Sequence, residues 1–150
     1  MIPLLQGKVA LVDDADYERL VVYSWHAASV QKGTWYAARK FRYGRKVRTE
    51  YMHDLLMGCI KIDHQNGNGL DNQRRNLRPA TSAQNAQNRR KRCNARGHFK
   101  GVTLRKSGKW EAGIKIGGRN LYLGTFDAEE QAAAAYRAAA KSAFGEFARF

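Results

Sequence analysis

The sequence predicts an α+β chain built from two modules in tandem. Three observations carry that expectation. Short stretches of period-two hydrophobic alternation are interleaved with short stretches of helical spacing, and Gly, Asn and Asp mark the joins. The formal charge of +14 is unevenly placed: residues 1–37 hold 3 basic and 4 acidic side chains, residues 38–96 hold 15 and 4, and residues 97–150 hold 9 and 5. Beyond the basic run Arg89-Arg90-Lys91-Arg92, three strand-like segments lead into an alanine-rich helical one, a complete small layer architecture of its own. At 150 residues the chain has room for two such domains, each with a modest core.

In order, residues 6–13 read as a short strand and Asp14 to Trp25 as a helix with Tyr17, Leu20, Val21 and Trp25 on its apolar side. Thr34 to Tyr43 and Lys46 to Glu50 read as the arms of a hairpin turning at Gly44. That hairpin carries Arg39, Lys40, Arg42, Arg45, Lys46 and Arg48. Like charges crowded on a ribbon repel unless phosphates lie between them, so Arg39, Arg42 and Arg45 are candidate phosphate contacts. A solvated sheet face is the plainer alternative.

The most informative stretch is Ile62-Asp63-His64-Gln65-Asn66-Gly67-Asn68-Gly69-Leu70-Asp71-Asn72, followed by Asn76-Leu77-Arg78 and Ser82-Ala83-Gln84-Asn85. A strand ends near His64, a Gly/Asn loop turns, and a second strand runs near Leu77 to Ala80. Thr81 then opens a helix, with Gln84 three residues on in a capping-box pattern. On that helix Asn85, Asn88, Arg89 and Arg92 are spaced to share one face. Hydrolysing a phosphodiester needs a base, charge stabilisation on the phosphoryl oxygens and help for the departing oxygen. His64 has the residue type for the base near neutral pH. Asp63 and the Asn85 carbonyl are hard oxygen donors suited to Mg²⁺ or Mn²⁺. Adjacent strand residues point to opposite faces, so Asp63 and His64 serve one site only if the strand twists or ends between them. Asn66, Asn68, Asp71 and Asn72 read as turn formers rather than ligands.

This order and spacing resembles the HNH nuclease family, especially the homing endonucleases of mobile elements and phages, and the likeness extends back through the Tyr51 to Leu56 helix. The resemblance implies a ββα fold around one metal ion, Mg²⁺ or Mn²⁺. His64 is then the general base, Asp63 and Asn85 the metal ligands, and Asn76 a brace that ties the loop and orients His64. His53 either assists at the phosphate or packs its helix on the core.

After a connector at residues 93–98 comes a second module, 99–150. Its Lys109-Trp110, Leu123-Gly124-Thr125-Phe126 and Ala135-Tyr136 resemble the AP2/ERF DNA-binding domain, which implies three antiparallel strands backed by one helix. Thr103, Ser107 and Gly113 stand where the plant form has bulkier or charged groups, so the likeness speaks to fold more than to base preference. Alternation places Val102, Leu104, Trp110, Ala112, Ile114, Ile116, Leu121 and Leu123 toward the helix. Thr103, Arg105, Lys109, Glu111, Gly113, Lys115, Asn120 and Tyr122 then face outward. Lys100, Thr103, Arg105, Lys109, Lys115, Arg119 and Tyr122 are the candidate DNA contacts of this module, and Asn88, Arg89 and Arg92 those of the segment before it. Asp127 with Glu130 offers a capping box for the helix.

Basic residues interleaved with aromatics and amides indicate a polyanionic partner, and double-stranded DNA fits best. Cys59 and Cys93 stand apart without ligand-spaced neighbours, which argues against structural zinc and a disulfide framework; both are expected to be buried thiols. No apolar run approaches membrane-spanning length and no secretory signal is read, so a cytoplasmic location follows, in a bacterial host cell if the gene belongs to a phage or mobile element. No small-molecule cofactor is expected, and a monomer is favoured. The sequence reading is therefore metal-dependent cleavage of duplex DNA by residues 1–92, with residues 99–150 as a DNA reader. A DNA-binding regulator with an inactive nuclease module is the alternative, and an RNA-binding role lacks the aromatic signatures it would need.

Overall fold

The structure is a computed structural model that describes residues 1–31, 33–58, 61–89 and 97–150. The chain is a mixed α/β protein with small antiparallel sheets, and it divides into two units, Met1–Asn85 and Ala86–Phe150. Cys59, Cys93, Arg92 and most of the expected connector lie outside the described residues. No described helix is long and apolar enough to cross a membrane.

The first unit opens with β1 (Ile2–Pro3) and β2 (Val9–Ala10), an antiparallel pair, followed by α1 (Asp14–Val21). The helix expected to reach Trp25 stops a turn earlier. Trp25 is buried beyond it, its indole N–H donating to the Leu20 carbonyl at 2.8 Å, so the ring closes the helix end instead of extending it. The basic hairpin forms as β4 (Thr34–Tyr43) and β5 (Lys46–Tyr51), but it belongs to a three-stranded sheet whose other edge is β3 (His26–Gln31). The segment His26-Ala27-Ala28-Ser29 carries little of the branched and aromatic character that marks strands, which is why β3 is silent in the sequence. Gly44, at φ +60, opens the two-residue turn between Tyr43 and Lys46.

Then come α2 (Met52–Met57), β6 (Ile62–His64), a single 3-10 turn (Arg74–Asn76), β7 (Leu77–Pro79) and α3 (Ser82–Gln87). β6 and β7 pair antiparallel with Asp63 opposite Arg78 and His64 opposite Leu77. The core of this unit gathers Leu4, Val12, Leu20, Trp25, Met52, Leu56, Ile62 and Leu77. The long loop between β6 and the 3-10 turn is drawn against the rest of the unit by backbone bonds: Leu11 N–H donates to Leu70 O, and Asn72 N–H to Leu11 O, each at 2.8 Å. Arg74 fastens the turn to α1 with Nε and Nη2 bonds to the Asp16 carboxylate at 2.7 and 2.6 Å. Asp16 is held below its ordinary carboxylate pKa, chiefly by that hydrogen bond.

The second unit has β8 (Val102–Leu104), β9 (Trp110–Ile116) and β10 (Arg119–Phe126) in the order β10-β9-β8, backed by α4 (Glu129–Phe144). Gly117 and Gly118, both at positive φ, make the two-residue β9–β10 turn. Ala132, Ala133 and Ala140 are buried along α4, their small side chains letting the helix approach Val102, Ala112 and Ile114. Gly101 is required there: a Cβ on it would fall 2.0 Å from the Tyr136 ring.

Three expectations for this unit are corrected. Leu104 and Leu121 are exposed although their ladder partners are Trp110 and the buried Ile114, because they stand on the two edge strands, β8 and β10. The Asp127–Glu130 capping box is not formed. The cap position is Ala128 without a side-chain bond, Asp127 pairs instead with Lys109 at 3.0 Å, and Glu129 is buried, accepting from the His98 ring at 2.8 Å and the Phe99 N–H at 3.2 Å. Burial pushes the Glu129 pKa up, but the His98 and Phe99 bonds outweigh it and the net shift is downward.

Candidate active site

The segment β6–loop–β7 and α3 as far as Asn85 belong to the first unit, where each part is fixed by a different local cause. α3 starts with a reciprocal capping box: Thr81 N–H donates to Gln84 Oε1 at 2.7 Å, and Gln84 N–H to Thr81 Oγ1 at 3.2 Å. One turn on, the Asn85 amide donates to the Ile62 carbonyl at 3.3 Å, which lays this side chain on the backbone of β6 immediately before Asp63. The Asn85 Oδ1 is buried and, among the described residues, has no hydrogen-bond partner. An orphaned buried acceptor costs about 1–3 kcal/mol, so this atom calls for a donor or a cation. α3 ends at Gln87, so Asn88 and Arg89 do not continue the helical face expected for them: Asn88 is buried past the helix end and Arg89 is exposed.

The adjacent residues Asp63 and His64 have different partners. Asp63 faces its ladder partner: Arg78 donates Nε and Nη2 to Asp63 Oδ2 at 2.9 and 2.7 Å, in an ion pair buried on both sides. His64 is buried in an aromatic cluster, its ring centroid 5.0 Å from that of His53 and 5.6 Å from that of Tyr36. Its Nε2 lies 3.4 Å from Asn72 Oδ1. That contact orients the ring. Burial pushes the His64 pKa below 6.5, opposed by the Asn72 contact and by the charges of Asp63 and Asp71. The ring therefore stays neutral, as a base must, to lower pH than an exposed histidine.

Asn76 is the fastening of the loop. Its Nδ2 donates to Asp71 O at 2.7 Å, and its Oδ1 accepts from Asn66 N–H at 3.0 Å. A polar side chain that reaches the His64 ring is Asn72, fully buried and read from the sequence as a turn former. Asp71 is held within the loop by Asn66 Nδ2 at 2.7 Å.

His53, for which the sequence allows two roles, stacks on Tyr51 at 5.4 Å and packs against Tyr36 at 5.6 Å. Burial first and His64 second lower its pKa to about 3, so it is neutral. Its 3.5 Å approach to Asp54, whose own pKa burial raises, is accordingly a polar contact and not an ion pair. The His53 Nδ1 is buried without a hydrogen-bond partner among the described residues.

The candidate DNA contacts divide by what they already touch. Arg39 bonds Glu50 at 2.6 Å and lies 3.6 Å over the Tyr23 ring, so it serves the sheet rather than a ligand. Arg42 and Arg45 are exposed toward the free end of the hairpin. Lys100 is partly buried and donates to the Gln87 carbonyl. Arg105 grips Glu111, with Nε 2.7 Å from Oε2. Thr103, Lys115, Arg119 and Tyr122 are exposed, and the Tyr122 hydroxyl lies 2.7 Å from that of Thr125.

The donor chemistry suits a hard divalent ion: the Asp63 carboxylate and the Asn85 side-chain carbonyl are both oxygen donors, and the Asn85 amide rests on the Ile62 carbonyl, one residue before Asp63. Among the described residues no three His, Cys, Asp or Glu side chains gather into a metal cage.

Fold and site together define an α+β chain with a ββα segment carrying a buried histidine and an amide oxygen that has no partner among the described residues. Compared with known proteins, the chain is 29% identical over 143 residues to an uncharacterized HNH endonuclease of Acanthamoeba polyphaga mimivirus, covering 95% of this chain and 74% of that protein. Over part of its length it is 54% identical to APETALA2-like protein 2 of Oryza sativa subsp. indica, across 44 residues that make up 10% of that protein. It is 47% identical to dehydration-responsive element-binding protein 2C of Arabidopsis thaliana across 53 residues, 16% of that protein. No family model matches the chain.

Proposed function

We propose that this protein is a metal-dependent DNA endonuclease of the HNH, homing type, cutting duplex DNA at a preferred site with its first unit and gripping DNA with an AP2-like second unit. The observation that carries the reading is the Asn85 side chain, laid on the Ile62 carbonyl of β6 next to the Asp63-His64 pair, with a buried oxygen that has no partner among the described residues. The likeness to an HNH endonuclease over nearly the whole chain and to plant DNA-binding proteins over part of it supports the same reading.

His64 removes a proton from the attacking water, and the Asn72 contact orients its ring. The aromatic walls of Tyr36 and His53 hold the imidazole neutral and fixed. Asp63 and Asn85 would hold a single Mg²⁺ or Mn²⁺, which when bound supplies positive charge to the phosphoryl oxygens and the departing 3′ oxygen. Asn76 keeps the loop that carries Asn72 closed on β6.

The test is incubation with supercoiled plasmid in Mg²⁺ and in chelator, followed by gel separation of nicked and linear products. His64→Ala should cut roughly 10²- to 10⁴-fold more slowly while binding DNA nearly as well. The buried Asp63–Arg78 pair is the one feature that favours a DNA-binding regulator instead, since it already satisfies the carboxylate. Tight binding with no cutting in either metal would decide for that reading.

A further inference from the structure

We propose that Arg78 is a resident counter-ion for Asp63, which holds the carboxylate in place when no metal is bound and yields part of its charge to the ion when one arrives. The inference rests on the nuclease reading and adds to it a role for a residue that lies inside the motif. Asp63 and Arg78 face each other across the β6–β7 ladder and are both buried. The guanidinium Nε and Nη2 converge on one carboxylate oxygen, Oδ2. A buried charge is costly without a partner. Arg78 supplies that partner from the facing strand.

The same pair sets how strongly the site attracts an ion. Asp63 and Arg78 cancel, and Asn85 is neutral, so these three side chains offer a divalent cation no net charge. Asp71, the further carboxylate whose charge reaches His64, is engaged by Asn66. Metal affinity of the protein alone is therefore low. The phosphate of the DNA supplies the missing negative charge, so ion and substrate bind together. This explains why a buried ion pair is kept at a place where a simple apolar pair would pack as well.

The parent protein, labelled with ¹⁵N, is titrated with Mg²⁺ while the Arg78 Nε–H and Asn85 side-chain amide resonances are followed. Both should move with one midpoint. Movement of Asn85 alone would overturn the counter-ion role and leave the nuclease reading intact, whereas movement of neither, with duplex DNA present as well as without it, would remove the ion from this site and the nuclease reading with it. In parallel, Mn²⁺ binding without DNA is measured from the free-ion electron paramagnetic resonance signal. Arg78→Gln, which keeps a donor and drops the charge, should bind Mn²⁺ about tenfold more tightly or better, the scale of one unit charge acting on a divalent ion through a partly screened interior. Arg78→Lys should bind as the parent does, and adding Asp63→Asn to Arg78→Gln should abolish the gain. Unchanged or weaker Mn²⁺ binding by folded Arg78→Gln would overturn the proposal; if that variant does not fold, the titration of the parent decides.

Discussion

Replacing Gly69 by alanine tests whether the loop after His64 is held by close approach to the central sheet. Gly69 is buried, and a Cβ there would lie 2.4 Å from Tyr36 Cδ1 and 2.5 Å from the Trp35 carbonyl oxygen. The first of these is a ring already wedged between His53 and His64, and the second is backbone of β4, paired with Ser29 of β3. Neither gives way easily, so the loop must lift. Its φ is not in the left-handed region, so no backbone strain is relieved or added, and the cost is that of overpacking, about 1–3 kcal/mol. Against this stands a gain of about 0.4–1 kcal/mol from a less flexible unfolded chain. The net loss should be about 1–2 kcal/mol by urea unfolding. Activity should fall further than stability, because a lifted loop carries Asn72 away from His64 and loosens Asn76. Gly44→Ala is the control: it has open space around it and suffers only positive-φ strain, at a turn outside the site. A Gly69→Ala protein as stable as the parent and cutting plasmid at the parent's rate would refute the idea that this contact positions the site.

The remaining predictions follow from the same geometry. His53 is buried neutral with its pKa lowered to about 3, whereas in the unfolded chain it titrates near the ordinary 6.5. Its contribution is thus complete above the unfolded value and is lost as pH falls toward the folded one, by about 1.4 kcal/mol per pH unit. His53→Phe should flatten the acid limb of a stability–pH curve from denaturant melts, and an unchanged slope would show that the ring is not buried uncharged. Asn85→Ala and Asp63→Ala should each raise the Mg²⁺ concentration needed for half-maximal plasmid cutting; the same metal dependence as the parent would dismiss both as ligands. Lys115→Ala with Arg119→Ala should weaken duplex binding and lower the slope of log affinity against log salt by about 0.9 for each phosphate no longer neutralised. A salt slope equal to the parent's would show that this edge of the second sheet does not touch phosphate.

Several elements are legible in the sequence because their signals are local. The β4–β5 hairpin, the Thr81–Gln84 capping box and the three-strand-plus-helix second unit are each written in turn residues and periodicity within a few positions of one another. What escapes depends on partners distant in sequence. β3 has a weak strand composition and exists because β4 offers it an edge. Asn72 looks like any turn asparagine until Leu11, far back in the chain, takes its backbone and turns its side chain toward His64. Arg78 stands in the motif as a basic residue like the others, and only the β6–β7 register shows that it is matched to Asp63. Glu129 is hidden behind the neighbouring Asp127 and Glu130, because helix-start patterns do not reveal a carboxylate captured by the preceding chain.

Short-range pairing also narrows where DNA would be met. Net charge counts every cation alike, yet Arg39, Arg74, Arg78, Arg105 and Lys109 each face an acidic partner. Their charge is largely cancelled at close quarters, where phosphates would have to compete for it. Arg42, Arg45, Lys115 and Arg119 are exposed and stand on ribbons: the first two toward the tip of the β4–β5 hairpin, the others at the β9–β10 end. A two-stranded ribbon is the sheet element that fits a major groove. The two ribbons, rather than the whole basic surface, are therefore the places where the proposed enzyme would take hold of its substrate. On the second, the pairing of Arg105 with Glu111 means that Arg105 reaches a base edge or a phosphate only by giving up a bond it already has.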